Sequence, residues 1–282
     1  MTSDKKKELA LFAADVREGI LTSTHAAKSG HPGGSLSSAD YFAYLYKAEM
    51  KIDPKNPKWE DRDRFVLSKG HCAPGLYATL ANAGFFPVED LKTLRKLGSY
   101  LQGHPNMNLT PGVEMSTGSL GQGISVACGM AKGAKFLGKN FNVHVLLGDG
   151  ELDEGQVWEA VTFAAHYKLD NLCIAVDVNG LQIDGATCDV MNTALLDKRF
   201  AAFGCEVVVI DGHDFDALES AFKKFHETKN KPTVILLRTI KGKGVSYMEN
   251  QVDWHGKAPN DAELKIALAE LESARKKIEE AA

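Results

Sequence analysis

The run Val143-His144-Val145-Leu146-Leu147-Gly148-Asp149-Gly150 decides the fold. It is an almost unbroken apolar stretch that stops at a carboxylate flanked by glycines. A second run, Leu172-Cys173-Ile174-Ala175-Val176, leads into Asp177-Val178-Asn179-Gly180-Leu181, and helical spacing over 155–167 lies between the two. Strands that are apolar on both faces and separated by helices belong to a parallel sheet covered on both sides. Working outward, 65–67, 206–210 and 233–237 read as further strands. Helices are expected at 8–28, 38–49, 73–83, 123–135, 194–203, 214–228 and 261–282, with Gly30-His31-Pro32-Gly33-Gly34 stopping the first. The spacing predicts one α/β domain over 1–282, a parallel sheet with helices on both faces. The stretch 98–123 is long, glycine-rich and irregular, which marks a functional loop in a compact domain.

Ligands of such sheets sit outside the carboxyl ends of the strands. Adjacent strands would bring Asp149 and Asn179 to one point there. A carboxylate, an amide oxygen and a backbone carbonyl suit a hard cation, magnesium or calcium. Magnesium in particular shares its shell with phosphates, and glycines beside Asp149 let a diphosphate approach the backbone. Either turn alone is an ordinary strand end; the two together across one strand–helix–strand unit are not.

Composition narrows the function. The chain has 282 residues, with 33 Lys and Arg against 37 Asp and Glu, a formal net charge of −4. That balance gives no electrostatic case for binding nucleic acid. No apolar stretch reaches the roughly 18 residues of a membrane span. The start, MTSDKKKELALFAADV, is charged at once and has no apolar core of a secretory signal, so a cytoplasmic location is expected. The 5 cysteines are odd in number and never spaced CxxC, which argues against a disulfide framework and a zinc site. A dinucleotide-binding dehydrogenase would fit the fold class, but no GxGxxG closes the first strand–helix turn.

Nine histidines occur, and four stand in loops punctuated by glycine or proline: His31, His71, His104 and His255. Imidazole titrates near neutrality and both donates and accepts protons. His213, in the Asp211-Gly212-His213-Asp214 turn, has a weaker claim, and His25, His144, His166 and His226 read as structural.

Gly148-Asp149-Gly150, followed after 28 residues by Asn179, resembles the thiamine-diphosphate signature. The longer string GDGELDEGQVWEAVTFAAHYKLDNLCIAVDVNGLQIDG resembles transketolase specifically. So do SGHPGGSLSSAD (29–40), LSKGHCAPGLYATLA (67–81), GHPN (103–106), STGSLGQG (116–123), DGHD (211–214), KGKGVSYMEN (241–250) and WHG (254–256), in family order. The resemblance implies a thiamine-diphosphate-binding fold with Asp149, Asn179 and the Leu181 carbonyl as magnesium ligands. It implies cofactor contacts from His71, Ser119, Leu120, Gly121, Gly148 and Gly150. It places His31, His71, His104 and His255 along the substrate channel as proton-handling groups, and Glu154 and Glu159 at an interface between chains.

Only the first of the usual three transketolase domains is matched. The chain therefore resembles the N-terminal subunit of a split transketolase. A C-terminal chain carrying the pyrimidine-binding domain would complete it, as an α2β2 assembly. The resemblance implies transfer of a two-carbon ketol group from a ketose phosphate to an aldose phosphate, with no turnover by this chain alone. The competing readings are another thiamine enzyme, either deoxyxylulose-phosphate-synthase-like or 2-oxo-acid-dehydrogenase-like, and a non-catalytic regulatory half.

Overall fold

A computed structural model of the protein describes residues 1–192 and 194–280. Five strands form the main sheet: β1 (Arg64–Leu67), β2 (Val143–Gly148), β3 (Leu172–Val178), β6 (Glu206–Asp211) and β7 (Thr233–Arg238). All pairs are parallel, in the order β1-β2-β3-β7-β6. Two further strands, β4 (Leu181–Gln182) and β5 (Gly185–Ala186), make a small antiparallel hairpin just beyond β3. The expected α/β class and the expected main strands are all present.

The sheet separates two cores. One face carries Phe65, Leu67, Leu146, Ala175, Ile235 and Leu237. It packs under α1 (Ser3–Ala27), α3 (Ala39–Tyr44), α4 (Ala73–Asn82) and α9 (Phe215–Glu227), after the short α2 (Pro32–Leu36). The other face carries Val66, Val145, Leu147, Ile174, Val176 and Val234. It packs under α5 (Gly123–Phe136), α6 (Gly155–His166) and α8 (Leu196–Ala202); α7 (Thr187–Val190) is a single turn. Helix α10 (Asp261–Glu280) lies on α1 and contributes Ala267 and Leu271. The last two residues of the expected 261–282 helix fall outside the described residues. No helix among the described residues is long and apolar enough to cross a membrane.

Three expectations need correcting. The Pro32-Gly33-Gly34 run stops α1 but also opens α2, with proline at the first helical position, where its missing N–H costs nothing. The expected 38–49 helix is α only to Tyr44 and widens to a π-turn over Leu45–Glu49. Strand β6 is not buried on both faces: it is the sheet edge, and Val209 is 41% exposed. An apolar run cannot tell an edge from a centre, because position in the sheet is set by the crossover order.

Candidate active site

In the β2–β3 register Gly148 stands opposite Asp177, so the two strand ends open side by side. Asp149 caps a 3-10 turn, Gly150–Asp153. Its Oδ1 accepts from the Gly150 amide at 2.9 Å and its Oδ2 from the Gly180 amide at 2.6 Å, so one carboxylate ties both strand-end loops together. Asn179 Oδ1 accepts from the Leu181 amide at 3.1 Å, and its Nδ2 donates to Asp177. Asp149, Asn179 and Leu181 line one cavity of about 300 Å³ with Gly148, Gly150, Leu120 and three histidines.

Those histidines are His31, His71 and His255. Their ring centroids lie 5.2 Å (His31–His71), 5.4 Å (His31–His255) and 5.2 Å (His71–His255) apart. Residues distant in sequence thus meet as one cluster. Burial lowers all three: His31 and His71 to about 4, His255 to about 3, with neighbouring cationic side chains adding to the effect. The rings are neutral at pH 7, each with one donor and one acceptor nitrogen. His31 Nδ1 is buried with no hydrogen-bond partner among the described residues. Lys241 Nζ donates to His255 Nδ1 at 3.0 Å, which leaves the ring proton on Nε2.

His104 does not join the cluster. It is exposed on the irregular loop, its ring beside Gly118, while its carbonyl accepts from Tyr77 Oη at 3.1 Å. Of the 119–121 segment, Leu120 alone lines the cavity and Ser119 is exposed. Gly121 has φ +78°, and a Cβ there would sit 2.7 Å from Glu154 Cβ, so only glycine fits this turn against α6. Glu154 and Glu159 are both exposed at the start of α6.

Four charged residues carry no motif that singles them out in the sequence. Glu151 is buried; its Oε1 accepts from Ser68 Oγ at 2.5 Å and the Gly121 amide at 2.9 Å, and its Oε2 from the Gly148 amide at 3.0 Å. It joins the 119–123 loop to the Gly148-Asp149-Gly150 turn. Lys69 and Asp177 form a buried ion pair at 2.7 Å in the lining of the cavity. Burial disfavours the Lys69 ammonium, but Asp177 overcomes it and keeps the group charged. Lys241 is 2% exposed, and its Nζ also donates to the Leu181 carbonyl at 3.1 Å. The only sequence signals are a lysine near His71 and the Lys241-Gly242-Lys243-Gly244 run; burial, which makes them matter, is not written in either.

Burial, then the nearby Asp177 charge, pushes the Asp149 carboxyl up to about 6 against the two amides that favour its charge. Such a site gains from a bound cation. Among the described residues no three His, Cys, Asp or Glu side chains are placed to hold a metal ion. A cation here would rest on a carboxylate, an amide oxygen and a carbonyl, a hard-oxygen set with room for phosphate.

Residues 11–277 match the family model described as the transketolase thiamine diphosphate binding domain. The chain is 44% identical over 270 residues to the 6-deoxy-6-sulfo-D-fructose transketolase subunit SqwG of Clostridium sp. (strain MSTE9), covering 96% of this chain and 98% of that protein. It is 40% identical over 271 residues to an apulose-4-phosphate transketolase subunit of Phocaeicola vulgatus, covering 96% of each. Against human transketolase the identity is 43% over 258 residues, 90% of this chain but 41% of that protein. A transketolase structure from Pichia stipitis superposes with TM-score 0.87 at 32% identity, over 99% of this chain and 46% of that one. The chain thus spans nearly all of its subunit-sized relatives and less than half of the long ones. It belongs to the transketolase family of transferases, corresponding to the thiamine-diphosphate-binding subunit of a split transketolase.

Proposed function

We propose that this chain is the thiamine-diphosphate-binding half of a ketol-transferring enzyme. It would work with a second chain carrying the pyrimidine-binding domain, in an α2β2 assembly in the cytoplasm. The substrates are a ketose phosphate donor and an aldose phosphate acceptor of the pentose-phosphate type. The observation that carries this reading is a single cavity holding three neutral histidines and the Asp149, Asn179 and Leu181 oxygens.

The residues present fit the group. A diphosphate at the carboxyl ends of two buried strands needs a cation and close backbone; the oxygen set would hold the first and the glycines beside Asp149 allow the second. His31 Nδ1, buried without a partner among the described residues, fits a ligand in the same cavity. Asp149, Asn179 and the Leu181 carbonyl would hold magnesium; calcium suits the same oxygens. Gly148, Gly150, Leu120 and His71, which line the cavity, would contact the cofactor, with Ser119 and Gly121 shaping the loop that carries Leu120, and Lys241, beside Leu181, would face the diphosphate.

When bound, thiamine diphosphate supplies the electron sink for carbon–carbon cleavage. The protein's own share is positioning and proton handling. His31 and His71 are neutral and clustered, so each offers a sugar hydroxyl one donor and one acceptor ring nitrogen, while His255 offers a donor. Lys241 orients His255 with its proton on Nε2, ready to donate to a sugar oxygen. His104, on the rim, is suited to contact substrate entering the cavity. Glu154 and Glu159, exposed beside the cofactor loop, would meet the partner chain. The experiment is a two-chain assay with thiamine diphosphate, magnesium, xylulose 5-phosphate and ribose 5-phosphate. Activity with both chains, none with either alone, and loss on Asp149→Ala support the reading. Metal-dependent cofactor binding with no ketol transfer would move it to another thiamine enzyme, tested with pyruvate, or to a regulatory half.

A further inference from the structure

We infer that Arg17, Asp40 and His213 are positioning residues for this site, acting through the 240–243 segment that delivers Lys241 to the cavity; the functional part of this inference rests on the transketolase reading. None of the three lines the cavity. They come from three distant parts of the chain: α1, α3 and the turn after β6.

Asp40 is the hub. Its Oδ1 accepts from Arg17 Nη1 at 3.1 Å and its Oδ2 from Arg17 Nη2 at 2.5 Å. The same Oδ2 accepts from His213 Nδ1 at 2.7 Å. His213 Nε2 in turn accepts from the Ile240 amide at 2.9 Å. An acceptor nitrogen carries no proton, so the His213 proton is on Nδ1, directed at Asp40. At the other end Arg17 Nε donates to the Lys243 carbonyl at 3.1 Å. One buried carboxylate therefore fixes both ends of a four-residue segment, the N–H of Ile240 and the C=O of Lys243.

What lies between the two anchors has little slack. The Gly242 amide donates to the Gly33 carbonyl at 3.0 Å, which ties the segment to the helix that follows His31. Gly242 has φ +79°, and a Cβ there would sit 2.3 Å from the Met248 carbonyl oxygen. Lys241 lies between these ties, and its Nζ ends on Leu181 O and His255 Nδ1. A shift of the segment moves an ammonium that touches both a proposed metal-ligand carbonyl and a proposed catalytic histidine. Apolar residues of the same volume often stabilise as well as a buried ion pair, so stability alone does not account for a charged triad at this place.

His213 is the place to test this, because removing Asp40 or Arg17 would strand a buried charge. His213→Asn keeps a donor near Nδ1 for Asp40 and deletes the acceptor for Ile240; His213→Gln places an amide oxygen near the former Nε2. Two readouts are taken: hydrogen–deuterium exchange of the 240–243 amides in the chain itself, and the thiamine diphosphate dissociation constant, with magnesium, in the two-chain complex. The expected result for His213→Asn is exchange at Ile240 at least 10-fold faster, unchanged exchange in β2 and β3, and cofactor affinity weakened about 10-fold. His213→Gln should recover most of both. Wild-type exchange at Ile240, or a uniform rise across the sheet, would overturn the inference, as would wild-type cofactor affinity in His213→Asn. Wild-type protein that binds cofactor but transfers no ketol group would count against the transketolase reading alone, since neither readout depends on turnover.

Discussion

Asp177 sets the direction of the Asn179 amide. Nδ2 of Asn179 donates to Asp177 Oδ2 at 2.8 Å, which leaves Oδ1 as the atom on the far side, where it accepts from the Leu181 amide at 3.1 Å. The same buried carboxylate accepts from Ser37 Oγ at 2.7 Å, from Lys69 Nζ at 2.7 Å and from Thr239 Oγ1. A side chain fully enclosed at the end of β3 thus decides which end of the amide a cation would meet.

Asp177→Ala should leave the Lys69 ammonium buried without its counter-charge. Breaking such a pair costs roughly 3–5 kcal/mol, and urea unfolding at pH 7 should show a fall of about that size. The double change Lys69→Met with Asp177→Leu should recover most of the stability while leaving cofactor affinity impaired. A single variant as stable as wild type would contradict the pairing.

Asp149→Asn keeps the size of the side chain and removes the charge that would hold the cation. Calorimetric titration of the assembled complex should show thiamine diphosphate affinity falling by at least about 100-fold, the upper end of what losing a mere outer-shell partner of a metal ligand costs. A chelator applied to the wild-type complex should have the same effect, reversed by magnesium or calcium. Binding that persists in chelator would remove the cation from the site.

Acid stability should depend on Asp40. Burial alone would raise its carboxyl, but Arg17 and His213 hold it down to about 2. The unfolded value is near 3.9, so the contribution is complete above that pH and is lost as pH falls toward 2. By linkage it amounts to between about 2 and 3 kcal/mol. Urea midpoints of wild type and Asp40→Asn between pH 5 and pH 2 should converge, with wild type losing the more.

His144 works in a different window. The ring is fully buried against Phe222 and Phe225, neither nitrogen has a hydrogen-bond partner among the described residues, and burial pushes it down to about 3. The unfolded chain takes up the proton first, so stability should fall as pH drops from about 6.5 toward 3, by about 1.4 kcal/mol per pH unit for this group. His144→Leu should remove one proton from that slope and gain about 1 kcal/mol at pH 7, since an unsatisfied buried polar group is costly. An unchanged slope would show that the ring is hydrated.

Much of the site is readable from local chemistry. Gly148-Asp149-Gly150 and Asn179 stand at the ends of two apolar runs, and the register of β2 on β3 brings them together as expected. His31, His71 and His255 are marked by their glycine and proline surroundings, and they do meet. His104 shares that signal yet sits on the rim, because a loop histidine's direction depends on what the loop packs against. Glu151, Lys69, Asp177 and Lys241 carry no spacing signal, for a charged residue reads as solvated until burial is known.

The sequence by itself determined the strand–helix alternation, the parallel sheet and the two strand-end oxygen donors. Those follow from periodicity and from side-chain chemistry, which are local properties. The tertiary structure alone decided that β6 is an edge, that Asp40 brackets the 240–243 segment from both ends, and that Asp177 fixes the Asn179 amide. Each depends on groups from separate elements losing water together, or on where crossovers place a strand, and neither is encoded in any one stretch of chain.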